Sequence, residues 1–249
     1  MGKLAGQVVI VTGASSGMGW EAARQFADEG AKVVAAARRE GPLQELIKRI
    51  ADKGGEAISC PTDIAKREDV DRLVQTAIDK FGRLDVMCNI AGINAPYREM
   101  AVLTQEKWDR ILATNLTGAF HCTQAVLPQM RQQGGGTIIH VSSVSGKWGD
   151  TSGAAYQAAK HGMTGLAYAT MVEERQNGIR VSVIYPGLCD TPILRNRVVP
   201  VPREILDKAM RPEDIAAACV FCASLPLRTY ISDLVIMPGG LQCVGQAVI

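Results

Sequence analysis

The run Gln7-Val-Val-Ile-Val-Thr12, followed at once by Gly13-Ala-Ser-Ser-Gly17-Met-Gly19, decides how the rest of the chain is read. An almost unbroken apolar row rich in β-branched residues predicts a strand covered on both faces, as in a parallel sheet. Three glycines then turn the chain into a helix predicted over 17–29. A strand-turn-helix of this kind aims unpaired backbone N–H groups and the positive helix end at an anion. Gly13 permits the tight turn, Gly17 lets a pyrophosphate approach the backbone, and Gly19 lets helix and strand pack closely. The spacing is Gly-x3-Gly-x-Gly, not Gly-x-Gly-x-x-Gly, so the strand-helix context carries the nucleotide-binding reading more than the glycines do.

Outward from this turn, strand patterns at 32–36, 56–60, 84–89, 137–142, 180–185 and 233–237 alternate with helical patterns at 42–53, 66–80, 104–131, 153–176 and 213–224. Pro42 and Pro212 suit a first helical turn, while Gly30, Gly54, Gly82 and Gly178 stand where helices should stop. Such alternation requires crossover connections, hence an α/β fold: a doubly wound parallel sheet with helices on both faces. No repeat or linker divides residues 1–249, so a single domain is expected. Its one long interval without a strand, 187–211, carries Pro192, Pro200 and Pro202.

A net charge of +2 with no basic run lacks the footprint of a nucleic-acid binder. No apolar stretch approaches the ~18 residues of a membrane span. Met1–Gln7 lacks the features of a signal peptide, so a cytoplasmic location is expected. Cys60, Cys88, Cys122, Cys189, Cys219, Cys222 and Cys243 are scattered among apolar neighbours, which reads as buried reduced thiols. His121, His140 and His161 lack metal-site spacing, and no metal is expected.

An acidic residue ending the second strand would grip a ribose 2′-OH. Ala37 stands there instead, followed by Arg38 and Arg39. Without a carboxylate to repel it, a 2′-phosphate can be bound by guanidinium groups, which favours NADP(H), with NAD(H) also open. Of the two arginines, Arg38 is nearer the strand end and is the preferred candidate.

Ser143 follows the 137–142 strand, at the edge where ligands of open α/β sheets bind. Tyr156 and Lys160 stand one helical turn apart and share a face. A phenol ionises near pH 10, and a nearby ammonium favours its phenolate, which is expected to bring Tyr156 toward the working range. Taken with Thr12–Gly19, Asn89-Ile-Ala-Gly92, Asn115 and Pro186-Gly187 with Thr191, this pattern resembles the short-chain dehydrogenase/reductase family, in its compact branch of about 250 residues. The resemblance runs in order from residue 7 to about 240. It implies a Rossmann-like fold of about seven parallel strands, a nicotinamide cofactor and a homotetramer or dimer.

By that resemblance Tyr156 is the general acid in reduction and the general base in oxidation. Lys160 lowers its pKa and binds the nicotinamide ribose, Ser143 polarises the substrate carbonyl, and Asn115 holds a water of a proton relay. Gly13, Ser15, Ser16, Gly17, Met18 and Gly19 cradle the pyrophosphate, and Asp63 with Ile64 borders the adenine. Asn89, Ala91 and Gly92 back the adenosine ribose, while Pro186, Gly187 and Thr191 border the nicotinamide. Ile90 departs from the family, which more often has Asn there.

Three segments are expected to wall the substrate: 93–100 with Tyr97, 145–152 with Trp148, and a lid-like excursion over 188–210 carrying Arg195, Arg197 and Arg203. That basic lid raises an acidic substrate, although solvated loop arginines are the commoner explanation. Small residues at Gly118, Ala119, Gly162, Gly165, Ala167 and Ala169 suit either a subunit interface or close packing within the chain. The leading expectation is an NADP(H)-dependent oxidoreductase acting on a small carbonyl or secondary-alcohol substrate. A β-ketoacyl carrier-protein reductase shares every motif, although the segment after Gly92 differs from that enzyme's usual run. An idle nucleotide-binding regulator on the same fold ranks below both, since Tyr156 and Lys160 are present.

Overall fold

Val8–Thr12 (β1) is buried along its whole length, and its side chains alternate between two cores. Val9 and Val11 face one, Val8 and Ile10 the other, the period-2 division expected of a strand covered on both sides. The structure, a computed structural model, describes residues 2–241. Around β1 lie Lys32–Ala37 (β2), Glu56–Pro61 (β3), Val86–Asn89 (β4), Gly136–Val141 (β5), Ile179–Pro186 (β6) and Asp233–Ile236 (β7). All pair in parallel, in the order β3-β2-β1-β4-β5-β6-β7.

Gly17–Asp28 (α1), Glu40–Ala51 (α2) and Pro212–Ser224 (α8) close the first core. Arg67–Phe81 (α3), Gly118–Gln132 (α5) and Ala154–Glu174 (α6) close the second. Gln105–Leu112 (α4) packs on α6 through a smaller cluster around Ile111, Ala155 and Ala159. The chain winds from β1 outward to β3, then crosses back to begin β4 on the other side of β1. Loops leaving β1 and β4 therefore diverge at their carboxyl ends and open a crevice, where ligands of such sheets bind.

Two elements differ from the sequence reading. The single helix expected over 104–131 is broken: one wide π-turn, Ala113–Thr117, separates α4 from α5. Asn115 at its centre is fully buried and donates through Nδ2 to the Ile93 carbonyl at 2.9 Å while Oδ1 accepts from the Ile93 amide at 2.8 Å. A helical period cannot announce such a turn, because one inserted residue leaves the apolar pattern on both sides intact. The 188–210 interval also contains a 3-10 turn, Pro192–Asn196, and a short helix, Arg203–Leu206 (α7). Its two ends are pinched together, with Asp190 N donating to Met210 O at 2.8 Å and Met210 N to Leu188 O at 3.1 Å. Among the described residues no helix is long and apolar enough to cross a membrane. Six cysteines are buried free thiols, and Cys243 lies outside the described residues.

Candidate active site

At the end of β1 the backbone turns sharply, with φ of 75° at Gly13 and 57° at Gly17, a region open to glycine and costly for other residues. A Cβ on Gly19 would lie 2.4 Å from the Gly13 carbonyl oxygen, and one on Gly13 would lie 2.9 Å from the Ala91 amide nitrogen. The turn is thus as tight as its residues permit. Thr12, which the sequence reading did not single out as a site residue, ties this turn to the end of β4. Its hydroxyl accepts from the amides of Ile90 at 3.1 Å and Ala91 at 3.2 Å. A lone hydroxyl ending an otherwise apolar strand is the signal that could have found it.

The turn forms one wall of a cleft of about 430 Å3. Ser15, Ser16 and Met18 lie along it, with Arg38 and Arg39 from the end of β2 and Asp63 and Ile64 from beyond β3. Ala91 and Gly92 from beyond β4, and Tyr156, Lys160 and Thr191, complete the candidate residues on its surface. Both arginines are exposed, and Arg39 reaches back to the glycine turn, donating to Ser15 Oγ at 3.1 Å. Asn89 lies beneath this surface, 3% exposed, beside His140 on β5. Burial pushes His140 down to about 3, with the Lys160 charge adding to it, so the ring is neutral.

A second chamber of about 120 Å3 adjoins the first, and Tyr156 and Thr191 line both. Ser143, Pro186 and Gly187 face this second chamber, whereas Lys160 faces the first. The neighbouring Ser143 hydroxyl favours the Tyr156 phenolate, but burial outweighs it and pushes Tyr156 up to about 12. Lys160 is pulled down to about 8 by burial, and its ammonium donates to the Val141 carbonyl at 2.9 Å. It sits 5.6 Å from the centroid of the Tyr156 ring. In the protein alone the expected lowering of the Tyr156 pKa does not prevail: desolvation of the phenolate outweighs the opposing effects of Ser143 and Arg98.

Behind Ser143 lies a chain of hydroxyls the sequence did not suggest. Ser143 Oγ donates to Ser145 Oγ at 3.1 Å, and Ser145 Oγ donates to Asp150 Oδ2 at 2.5 Å. Asp150 Oδ1 accepts from the Ser152 amide at 2.8 Å. Ser145 is 1% exposed, so the chain is fixed in place and fixes Ser143 in turn. Among the described residues no three His, Cys, Asp or Glu side chains gather as metal ligands would.

The model of the short chain dehydrogenase family matches residues 7–199. The chain belongs to that family. It is 36% identical over 237 residues to a 3-oxoacyl-[acyl-carrier-protein] reductase of Synechocystis sp., covering 93% of this chain and 95% of that protein. It is 33% identical over 243 residues to cis-4-hydroxycyclohexanecarboxylate dehydrogenase of Sinomonas cyclohexanicum, covering 96% and 97%. A metagenomic short-chain oxidoreductase solved in complex with NADP superimposes with a TM-score of 0.83 at 32% identity, covering 95% of this chain and 98% of its own. As expected of this family of oxidoreductases, the sheet is seven-stranded, parallel and flanked by helices on both faces.

Proposed function

We propose that this short-chain dehydrogenase is an NADP(H)-dependent enzyme interconverting a carbonyl and a secondary alcohol, with Tyr156 as its proton donor and acceptor. The observation that carries the reading is the position of Tyr156: it lines both chambers, between the glycine turn of one and Ser143 of the other. The first chamber fits a dinucleotide phosphate. Gly13 and Gly19 in its turn have no room for added side chains, its helix end offers unpaired amides, and two guanidinium groups line it as candidates to meet a ribose 2′-phosphate. The related oxidoreductase solved with NADP supports the same choice.

When bound, the nicotinamide supplies or accepts the hydride. The protein's own residues hold the proton. Tyr156, pushed up to about 12, is fully protonated at neutral pH and ready to donate to a carbonyl oxygen during reduction. The Ser143 hydroxyl, which lines the same chamber beside Tyr156, shares the task of orienting that oxygen. Lys160, its charge kept close by, and Asn115, which locks the Ile93 backbone beside Gly92, hold the floor of the cleft. A Cβ on Gly92 would stand 3.5 Å from Asn115 Oδ1 and 3.7 Å from Lys160 Nζ, so the three meet at one point.

The test is Tyr156→Phe. NADPH affinity, read by fluorescence, should stay within about threefold of wild type, while turnover of ketones and aldehydes falls by about 10²-fold or more. Turnover near the wild-type rate would remove Tyr156 from the chemistry. Relatives named as 3-oxoacyl-[acyl-carrier-protein] reductases favour a second reading, in which the carbonyl is that of a carrier-protein thioester. Comparing a carrier-protein-bound 3-oxoacyl group with small free ketones separates the two.

A further inference from the structure

The second chamber holds a pair of cations outside the Ser143, Tyr156 and Lys160 arrangement, one of which, Arg98, also favours the Tyr156 phenolate. Arg98, from the loop after β4, and Arg197, at the end of the 3-10 turn in the 188–210 excursion, both line it beside Ser143 and Tyr156. Both are half-buried, and among the described residues neither has a side-chain hydrogen bond or ion pair. Several other arginines are engaged: Arg203 with Asp207, Arg211 with Asp190, and Arg180 with the carbonyls of Leu225, Pro226 and Thr229.

Asp150 lines the same chamber, and its charge acts on Arg197. Its oxygens already accept hydrogen bonds from Ser145 and Ser152. Two cations against one committed carboxylate leave the chamber net positive. Withdrawing like charges from water side by side is unfavourable, and Arg197 is held below its ordinary value by burial and by Arg98. The local backbone sustains the arrangement. Tyr97, immediately before Arg98, is the only non-glycine residue among those described with positive φ, at 49°. Gly153 keeps clear the space Arg98 occupies: a Cβ there would lie 2.8 Å from Arg98 Cβ and 2.7 Å from its carbonyl oxygen.

We propose that the substrate is a small carbonyl compound bearing a carboxylate, gripped by Arg98 and Arg197 while its carbonyl faces Tyr156 and Ser143. Guanidinium forks match a carboxylate's two oxygens, and two forks on opposite loops grip it from two sides. A chamber of about 120 Å3 suits a compact keto acid or hydroxy acid. The inference rests on the carbonyl-reductase reading above and adds the substrate class.

The experiment compares 2-oxobutanoate, acetoacetate, 4-oxopentanoate and 5-oxohexanoate with their methyl esters under saturating NADPH. At the best spacing the acid should exceed its ester in kcat/KM by about 100-fold, mostly through KM. Arg98→Gln and Arg197→Gln should each pull that acid-to-ester ratio down by about tenfold or more. A readout independent of turnover is calorimetric binding of pentanoate, which cannot be reduced, to the NADP+ complex; it should be measurable in wild type and lost in the double variant. Equal kcat/KM for acids and esters, with neutral carbonyls turned over, overturns the carboxylate site and leaves the reductase reading standing. A preference for phosphorylated ketones over keto acids also overturns it. Pentanoate binding without turnover of any carbonyl keeps the anion site and overturns the reductase reading instead.

Discussion

Replacing Lys160 by Met should make the protein more stable at neutral pH while abolishing its activity. Lys160 is 3% exposed, and burial brings its ammonium from 10.5 down to about 8. At about 1.4 kcal/mol per pH unit, that gap sets ~3 kcal/mol against the folded state wherever the amine is charged. Met keeps the apolar stem but leaves the Val141 carbonyl without its donor, a loss of about 1 kcal/mol. The variant should therefore gain about 2 kcal/mol at pH 7. The sign then changes with pH. Below about 8 both folded and unfolded chains carry the proton, and the cost is complete. Between about 8 and 10.5 the unfolded chain binds a proton the folded chain has released, so wild-type stability rises relative to the variant. Above 10.5 only the lost hydrogen bond remains, and wild type should lead by about 1 kcal/mol. Urea unfolding followed by tryptophan fluorescence at pH 7, 8.5 and 10, at fixed protein concentration, measures the difference. A difference that stays constant across this range, or a wild type that is the more stable at pH 7, refutes the reasoning.

Thr12→Val keeps the shape of a buried side chain but strips the acceptor from two amides, those of Ile90 and Ala91. Unfolding in urea should show a loss of ~2–4 kcal/mol, against about 1 kcal/mol for Thr12→Ser, which keeps the hydroxyl; equal losses in the two variants would mean the hydroxyl does not hold the turn. For Tyr156, an ultraviolet titration of the cofactor-free protein, with Tyr156→Phe as the blank, should show no phenolate below about pH 10, since burial holds the group near 12. Asp150→Asn should move its ionisation downward, because the Asp150 charge opposes the phenolate. A Tyr156 phenolate at pH 7–8 would contradict this account of its burial.

The architecture was legible because its signals are periodic. All seven strands and all the long helices announce themselves as apolar runs or helical faces, and glycines such as Gly82 and Gly178 stop helices in the left-handed conformation expected of them. The glycine turn was legible because its residue types have few other uses. What failed was whatever depends on a contact between distant segments. The π-turn at Asn115 arises because its side chain pairs with Ile93, on another loop. The contact of Arg39 with Ser15 across the glycine turn was likewise not legible. Arg98 was not singled out at all, and of the three arginines noted in the excursion only Arg197 faces the chamber, whereas Arg195 is exposed and Arg203 pairs with Asp207. The electrostatics of Tyr156 were misjudged for the same reason. Helical spacing puts Lys160 beside it, but only the fold shows that burial works against the charged form of both groups.

The unfavourable features of this chain gather in one place. A buried ammonium and two unpaired guanidinium groups border the two chambers, with a non-glycine residue at positive φ just before one of the arginines, while the sheet beneath them is apolar on both faces. Nothing in folding alone favours that distribution, since each of these residues could be exchanged for an apolar or paired one with a gain in stability. It is the distribution expected of the proposed site, whose charges would meet something that arrives: a phosphate at the glycine turn, an oxygen taking a proton from Tyr156, and an anion between Arg98 and Arg197. The predicted stabilisation of Lys160→Met is one measurable piece of that cost, and it should disappear with rising pH as the ammonium it removes would in any case have lost its proton.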